Sequence, residues 1–333
     1  MSTHPTLDGA GPEFLLPQVA RAERRQMRLL FAAGLVLLPA AIALPFMTTG
    51  YVVYIANLLL VFTVLSLGMH IVVGEAGQFS LAHAAFYGLG IYTAGLLNNA
   101  LGLPLVLNIL AGGLVAALCG FAIGFLSLRM RDIYLALSTF AFGEAMQWVF
   151  LNWTPVTGGP NGLNFKPADL FGWTLLSDKA AYPVVTLVTL AFVAATIVIH
   201  FSTLGRSFRA VRESEIAAAA VGIDVKRVKL LAFTLSAFFA GAAGGLYTTF
   251  STFIHPESLG FQTTILVLTM VVVGGIGSVW GAIGGAIVFG LIAELLRQVP
   301  SYQEVIYGCI LMLFMMYLPR GVFSLPTLRG RTR

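Results

Sequence analysis

A few polar side chains stand inside otherwise apolar stretches of this sequence. Gln78, Ser80 and His83 fall within one run of small residues, and Glu144 follows an apolar run that ends at Gly143. Such groups can replace the hydrogen bonds that a polar molecule loses when it leaves water, or can carry a proton. Ser80 beside a histidine could also act as nucleophile and base, but no third orienting group accompanies them.

Each of these four residues also has a structural explanation. Gln78 and Ser80 fit tight helix packing as well as a polar path, and His83 could simply bond a neighbouring carbonyl. Placing the charged Glu144 side chain at the centre of a bilayer would cost about 2.5 kcal/mol or more of free energy. It could line a path, be protonated, or cap a helix broken at Gly143. We take all four as candidates for a translocation path.

The composition sets the class of protein in which these residues must act. The chain has 333 residues, of which 58% are hydrophobic and 10% charged, with 36 glycines and a mean hydropathy of +0.90. Soluble chains carry about 25% charged residues, so a soluble enzyme is excluded. Many glycines suit apolar helices whose backbones approach closely in lipid. We therefore predict an all-α polytopic membrane protein.

The apolar residues divide into segments of the length that a membrane helix needs, about 20 residues. The segments are approximately 29–47, 51–73, 79–97, 104–127, 133–151, 183–201, 229–252, 263–278, 281–296 and 304–319. They predict a bundle of about ten transmembrane helices. The glycine-rich stretch 274–281 predicts a broken or re-entrant segment, which is tolerated where it is buried in protein.

The basic residues orient this bundle, because Lys and Arg gather in cytoplasmic loops. With ten spans and both termini inside, all 19 Lys and Arg residues are cytoplasmic except Lys166, Lys179 and Arg297. This pattern predicts an inner-membrane protein and no binding of nucleic acid. The predicted parts are a cytoplasmic segment 1–28, a transmembrane domain 29–319 with an outer loop 152–182 and a cytoplasmic loop 202–228, and a basic cytoplasmic tail 320–333.

Catalytic motifs are absent from the sequence. Without a Gly-Lys pair there is no phosphate-binding loop, and without a His-Glu-x-x-His run there is no zinc-peptidase site. The five histidines lack metal-ligand spacing. We therefore predict a chain that is not an enzyme and binds no cofactor or metal, so that any ATP-driven work belongs to another chain.

The cytoplasmic loop 202–228 predicts a short amphipathic helix. Ile216, Ala219, Ala220 and Ile223 recur at spacings of three or four among charged residues. Such a helix could fill a groove on another protein or lie on the membrane surface. Elsewhere, glycines spaced by four residues, such as Gly120 and Gly124, predict close helix packing.

Several longer runs resemble the LivM-type permeases of bacterial branched-chain amino acid ABC importers. The resemblance covers about residues 50–320. It is carried by GQFSLAHAAFYGLGIYTAGLL from Gly77, LRMRDIYLALSTFAFGE from Leu128, TGGPNGL from Thr157, GRSFRAVRESEIAAAAVGIDVKRVKLLAFTLSAFFAGAAGGLY from Gly205 and GGIGSVWGAIGGA from Gly274.

The resemblance implies a transport subunit that works with a second related permease, two cytoplasmic ATPases and a periplasmic or surface solute-binding protein. It favours groove docking for the loop helix, whose pattern is similar to the Glu-Ala-Ala-x-x-x-Gly coupling loop of importer permeases, with one extra residue. The implied coupling residues are Arg212, Glu213, Glu215, Ala217, Ala218 and Gly222.

Related permeases are associated with urea, amides and aromatic acids as well as branched-chain amino acids. The substrate therefore stays open between these classes. An ion-coupled secondary transporter, in which Glu144 would carry the proton, is the alternative that needs no ATPase.

Overall fold

The computed structural model describes residues 48–127, 130, 133–170, 173–297 and 303–317. The predicted segments 1–28, 29–47 and 320–333 lie outside them. The helices are α1 (Gly50–Met69), α2 (His83–Leu101), α3 (Leu105–Ser127), α4 (Ile133–Asn152), α5 (Thr154–Thr157), α6 (Asp178–Phe201), α7 (Thr203–Glu213), α8 (Glu215–Ala220), α9 (Val225–Tyr247), α10 (Phe261–Gly275), α11 (Val279–Leu296) and α12 (Gln303–Tyr317). The strands are β1 (Leu163–Asn164), β2 (Asp169–Leu170), β3 (Trp173–Thr174) and β4 (Phe253–Ile254).

The long helices of the described residues fall on nine of the ten predicted segments. The main differences are at helix starts, since α2 begins at His83 rather than near residue 79, and α9 begins at Val225. Within the part of the chain that the structure describes, five stretches are long and apolar enough to cross a membrane: Gly50–Glu75, Leu105–Leu126, Asp178–Phe201, Val225–Tyr247 and Val279–Leu296. The protein is an all-α, polytopic membrane protein.

Helix α9 forms the centre of the bundle, packed against α1, α2 and α3. Glycines allow this packing, because a Cβ placed on Gly90 of α2 would overlap the backbone of Gly241 in α9. A Cβ on Gly120 of α3 would likewise overlap Ala237 of α9, and one on Gly124 would lie 3.1 Å from Phe233. Small residues therefore bring these backbones together, as their spacing predicted.

The glycine-rich stretch near residue 274 forms a helical hairpin. Helix α10 ends at Gly275, a three-residue turn follows with Gly277 at φ +89°, and α11 begins at Val279. The positive φ favours glycine, because side chains are rarely accommodated there. Close contact between α10 and α11 depends on Gly274, whose Cβ would collide with the backbone of Gly281.

One end of the bundle carries the short strands. Strand β1 pairs antiparallel with β4, and β2 pairs with β3. The end of α2 joins this sheet, because the Asn99 side chain donates to the Asn164 carbonyl at 3.0 Å and accepts from the Lys166 amide at 2.8 Å. Gly158, Gly159 and Gly162 all have positive φ, which gives this loop its tight turns. We call this end the strand end.

Helices α7 and α8 lie at the other end, which we call the loop end. Contacts at the two ends show that successive long helices run in opposite directions between the strand end and the loop end. Near the strand end, Asn57 of α1 donates to the Asp178 carbonyl at the start of α6, and Tyr51 donates to Glu294 near the end of α11. At the loop end, Arg212 reaches both the residues after α1 and the turn between α10 and α11.

The basic residues that the structure describes divide between these two ends. Lys166 lies at the strand end, where Lys179 begins α6. Arg297 lies there too, and its guanidinium forms an i, i+3 pair with Glu294 at 3.3 Å. The six basic residues from Arg206 to Lys229 belong to the loop end.

A methyl group at Gly90 tests the central packing. We expect Gly90→Ala to destabilise the protein by about 1–3 kcal/mol, because backbone atoms of Gly241 cannot rotate away from the new Cβ. The measurement is the midpoint of thermal unfolding in detergent. Gly308→Ala is the matched control, since its Cβ would meet nothing within 4 Å, and it should unfold no earlier than the unchanged protein. Equal midpoints for the two variants would contradict this account of the core.

Candidate functional site

An interruption of the helical backbone places three of the candidate residues. Helix α1 continues into a π-helical turn, His70–Glu75, and residues 76–82 then run without helix before α2 begins. We call residues 76–82 the break. Gly77 has φ +67°, and the Gln78 amide turns back to donate to the Val72 carbonyl at 2.9 Å.

Other helices supply the hydrogen bonds that the break lacks. The Leu81 amide donates to the Thr139 hydroxyl of α4 at 2.9 Å, and the Ala84 amide donates to the Thr264 hydroxyl of α10 at 3.0 Å. Gly143 of α4 also lies against the break, since its Cβ would be 3.2 Å from the Leu81 carbonyl oxygen. An irregular backbone within the bundle is thus satisfied by neighbouring helices, as a membrane protein requires.

Two side chains of the break have unused hydrogen-bonding capacity. Gln78 and Ser80 are buried, and neither the Gln78 amide nitrogen nor the Ser80 hydroxyl has a partner among the described residues. Phe79, between them, is half exposed. Buried polar atoms without partners are uncommon, because leaving them unpaired is costly. These two groups therefore have hydrogen-bonding capacity that the described residues do not use.

His83 has a structural role. Its ring is fully buried and Nε2 lies 3.1 Å from the Leu65 carbonyl oxygen, so Nε2 is the donor. The ring also packs against Gly68, whose Cβ would be 3.1 Å from Nε2. This geometry matches the alternative in which His83 bonds a neighbouring carbonyl.

Glu144 lies one residue beyond Gly143 and faces away from the bundle. Helix α4 exposes a continuous apolar stripe at helical spacing, which includes Tyr134, Leu137 and Trp148. Glu144 is exposed within this stripe. The structure therefore brings Gln78, Ser80 and His83 to one interruption and places Glu144 on the outer face of the adjoining helix.

The loop 202–228 contains two helices where the sequence predicted one. Ser214 has an extended backbone, φ −163° and ψ 114°, which ends α7 at Glu213. Its hydroxyl accepts from the Ala217 amide at 3.2 Å and so caps α8. Serine favours such caps over helix interiors, because its side chain competes for backbone groups. Amphipathic spacing alone could not reveal this division.

Helix α8 presents most of its apolar side chains outward. Only Ala218 is buried, whereas Ala217 is exposed and Ile216 is 85% exposed. The Glu215 carboxylate pairs with Lys229 of α9 at 2.5 Å, which fixes α8 against the bundle. Gly222, at φ +86°, ends this element. Helix α8 therefore leaves a small apolar surface uncovered by the rest of the described residues.

Sequence reasoning missed a cluster around Glu75. The carboxylate is buried and contacts the nearby His70 and two side chains that are distant in sequence, His200 and Arg209. A lone carboxylate at the end of an apolar segment was the available signal, but its partners could not be found without the fold. Within the described residues, no three His, Cys, Asp or Glu side chains are placed to hold a metal ion.

Comparison with known proteins establishes the family. Residues 51–316 match the family model described as branched-chain amino acid transport system / permease component. The chain belongs to this family. No solved structure matches it.

Named relatives support the same family. The permease is 36% identical to the high-affinity branched-chain amino acid transport system permease protein LivM of Escherichia coli, over 95% of this chain and 79% of that protein. It is 28% identical to the corresponding permease protein LivH of Salmonella typhimurium, over 80% of this chain and 92% of that protein. The predicted LivM-type resemblance is confirmed, and with it a transport subunit rather than an enzyme. The permease is a multi-pass inner-membrane protein.

Thr139 offers a test of the break. Thr139→Val removes the acceptor of the buried Leu81 amide, so we expect a loss of about 1–3 kcal/mol of stability. Thr234→Val is the control, because that hydroxyl only donates to a carbonyl in its own helix, Leu230 at 2.8 Å. Thermal unfolding in detergent should show a lower midpoint for Thr139→Val than for Thr234→Val. The reverse order would show that Thr139 does not support the break.

Proposed function

We propose that this permease forms one half of the translocation path of an ATP-driven importer for branched-chain amino acids. A second, related permease forms the other half. Two ATPases bind at the loop end, and a solute-binding protein delivers the amino acid at the strand end. ATP is used by those partner subunits and not by this chain.

The observation that carries this proposal is the similarity to LivM over 95% of the chain. Similarity to LivH, over 80% of the chain, supports a partner built on the same plan. Both relatives are named as permease proteins of a branched-chain amino acid transport system. Urea, amide or aromatic-acid transport is the alternative within the same class of importer.

Helix α8 is the proposed docking element for an ATPase. Its outward apolar residues, with Ile216 foremost, suit a groove on a protein. The coupling residues are Arg212, Glu213, Glu215, Ala217, Ala218 and Gly222. Glu215 and Ala218 hold α8 on the bundle, whereas Ala217 and Glu213 are exposed toward the partner. Arg212 extends inward to the Gly74 carbonyl instead.

The exposed face of α4 is the proposed boundary with the second permease and the path. A carboxylate facing lipid near the bilayer centre costs about 2.5–3.5 kcal/mol, so Glu144 belongs where protein or water receives it. The break, which carries the unpartnered groups of Gln78 and Ser80, lies on the opposite side of α4. A zwitterionic amino acid needs polar partners at its charged ends and apolar walls for its side chain, and this region offers both.

Ten membrane helices with both termini in the cytoplasm complete the topology. The described long helices supply nine, and residues 29–47 supply the tenth. Basic residues gather at the loop end, which is therefore the cytoplasmic end by the positive-inside rule. The interruptions at 76–82 and 276–278 are the glycine-containing breaks of this topology.

Uptake in reconstituted vesicles tests the proposal. The vesicles hold this permease with its second permease, ATPases and binding protein, and ATP is supplied on the ATPase side. We expect ATP-dependent uptake of radiolabelled leucine. Ile216→Asp should nearly abolish it, because a charge at an interface anchor costs about 2 kcal/mol or more of binding. Ile216→Leu, which keeps the apolar surface, is the matched control and should retain uptake.

The outcomes separate the alternatives. ATP-dependent uptake of urea in place of leucine would keep the importer and change its substrate. Uptake that ignores ATP and collapses with the proton gradient would replace the importer by an ion-coupled transporter. Equal uptake by Ile216→Asp and the unchanged protein would remove α8 as the docking element.

Glu144 provides a second test. Glu144→Gln keeps the size of the side chain and removes its charge, so we expect slower leucine uptake with the complex still assembled. Glu257→Gln is the control, because Glu257 is a 76% exposed carboxylate outside the long helices. The measurements are the initial uptake rate and the ratio of leucine to isoleucine transported. An unchanged rate and ratio in Glu144→Gln would take Glu144 out of the path.

A further inference from the structure

The Glu75 cluster joins three elements at the loop end. Glu75, at the end of the π-helical turn, is 2% exposed. One carboxylate oxygen contacts Nδ1 of His200, near the end of α6, and the other accepts from the Arg209 guanidinium of α7 at 3.0 Å. His70 Nε2 lies 3.3 Å from the first oxygen without hydrogen-bonding geometry. We define the cluster as Glu75, His70, His200 and Arg209.

The Arg209 side chain binds both the end of α6 and the π-helical turn. The same Nη1 that meets Glu75 donates to the His200 carbonyl at 2.9 Å. The guanidinium therefore ties α7 to the end of α6 and to the π-helical turn together. Loss of its cation strongly destabilises a buried carboxylate, so Glu75 and Arg209 must move as a unit.

Arg212, one turn further along α7, makes a parallel connection. Its Nη1 donates to the Gly74 carbonyl, next to Glu75. A Cβ on Gly77 would lie 2.6 Å from Arg212 Cγ, and one on Gly277 would lie 2.8 Å from Arg212 Nη1. The arginine thus runs between the break and the α10–α11 turn, where glycine alone leaves room for it.

A rigid chain of contacts leads from the docking helix to these arginines. Glu213 ends α7, Ser214 caps α8 without an intervening linker, and both helices pack on α9. At its other end, α7 starts from a Ser202 cap, and Gly205 lies directly against the carbonyls of Ile199 and His200. Helix α7 therefore cannot shift without displacing the arginines bound to Gly74 and Glu75.

We propose that Glu75 and Arg209 are positioning residues that transmit the movement of α7 to the break. Gln78 and Ser80 follow Glu75 by three and five residues, so a shift of the π-helical turn moves both of their unpartnered groups. The inference rests on the proposed function, since it takes ATPase docking at α8 as the source of movement. It adds the residues through which that movement reaches the candidate path.

The test measures how accessible the break is to a labelling reagent. A cysteine replaces half-exposed Phe79, and the native Cys119 and Cys309 are changed to serine. The rate at which a membrane-impermeant maleimide labels this cysteine is measured in the assembled complex, without nucleotide and after trapping with ATP and vanadate. Leucine uptake is measured on the same proteins without the label. Glu75→Gln and Arg209→Gln are compared with Arg227→Gln.

Arg227 is a matched control, because it is an arginine of the same loop region whose ion pair with Asp224 is exposed. We expect trapping to change the labelling rate in the parent protein and in Arg227→Gln. In Glu75→Gln and Arg209→Gln that change should shrink at least about fivefold, the lower end of coupling between linked sites. The double variant should match each single one, since the two residues act as one connection.

The outcomes distinguish this inference from the proposed function. Full nucleotide-dependent labelling and uptake in both single variants would overturn the inference and leave the importer intact. A parent complex with no ATP-dependent uptake would overturn the proposed function itself. If Glu75→Gln fails to assemble, Arg209→Gln decides alone, because Arg209 is one third exposed and can be changed with less effect on folding. Arg209→Lys should restore part of the labelling change in an assembled complex.

Discussion

The requirement that every backbone polar group find a partner inside the protein governs the arrangement around the break. Within lipid, an interrupted helix is tolerated only if neighbouring groups replace the bonds it lost. Here the Thr139 and Thr264 hydroxyls of α4 and α10 accept amide hydrogens from the break and the start of α2. The positions of those two helices are therefore tied to the irregular segment. The side-chain groups of Gln78 and Ser80, by contrast, have no partner among the described residues.

Close packing by glycine is the second condition for this arrangement. Helices in lipid gain little from the hydrophobic effect and depend on shape. Gly90 and Gly241 let α2 approach α9, while Gly274 and Gly281 let α10 approach α11. These close contacts hold two helices beside the break: α2, which follows it, and α10, which bonds the start of α2. The many glycines of the composition thus serve packing, and only a few, such as Gly77, serve an unusual backbone conformation.

Much of the fold could be predicted because hydropathy, glycine spacing and basic residues are local properties of a sequence. They located the long helices and the packed glycine faces. The division of the cytoplasmic loop at Ser214 was not foreseen, because the apolar spacing continues through it. Nor was the Glu75 cluster, since its members come together only when α6 and α7 fold back onto the end of α1.

The candidate path shows the same division between local and distant information. Residue type alone identified Gln78, Ser80, His83 and Glu144 as polar groups in apolar surroundings. Only the fold distinguishes His83, bonded to Leu65, from Gln78 and Ser80, whose side chains keep unpaired groups. Exposure of Glu144 likewise depends on which face α4 turns to its neighbours.

The strand end gives the bundle an uneven stiffness. Backbone pairing joins β1 to β4, and Asn98 and Asn99 bond the same loop to the end of α2. Bending the protein there would break several hydrogen bonds at once. At the loop end, by contrast, α7 is joined to the π-helical turn by the side chains of Arg209 and Arg212 and not by backbone pairing. A displacement of α7 therefore carries the turn with it, while the paired strands hold the opposite end of the bundle in place.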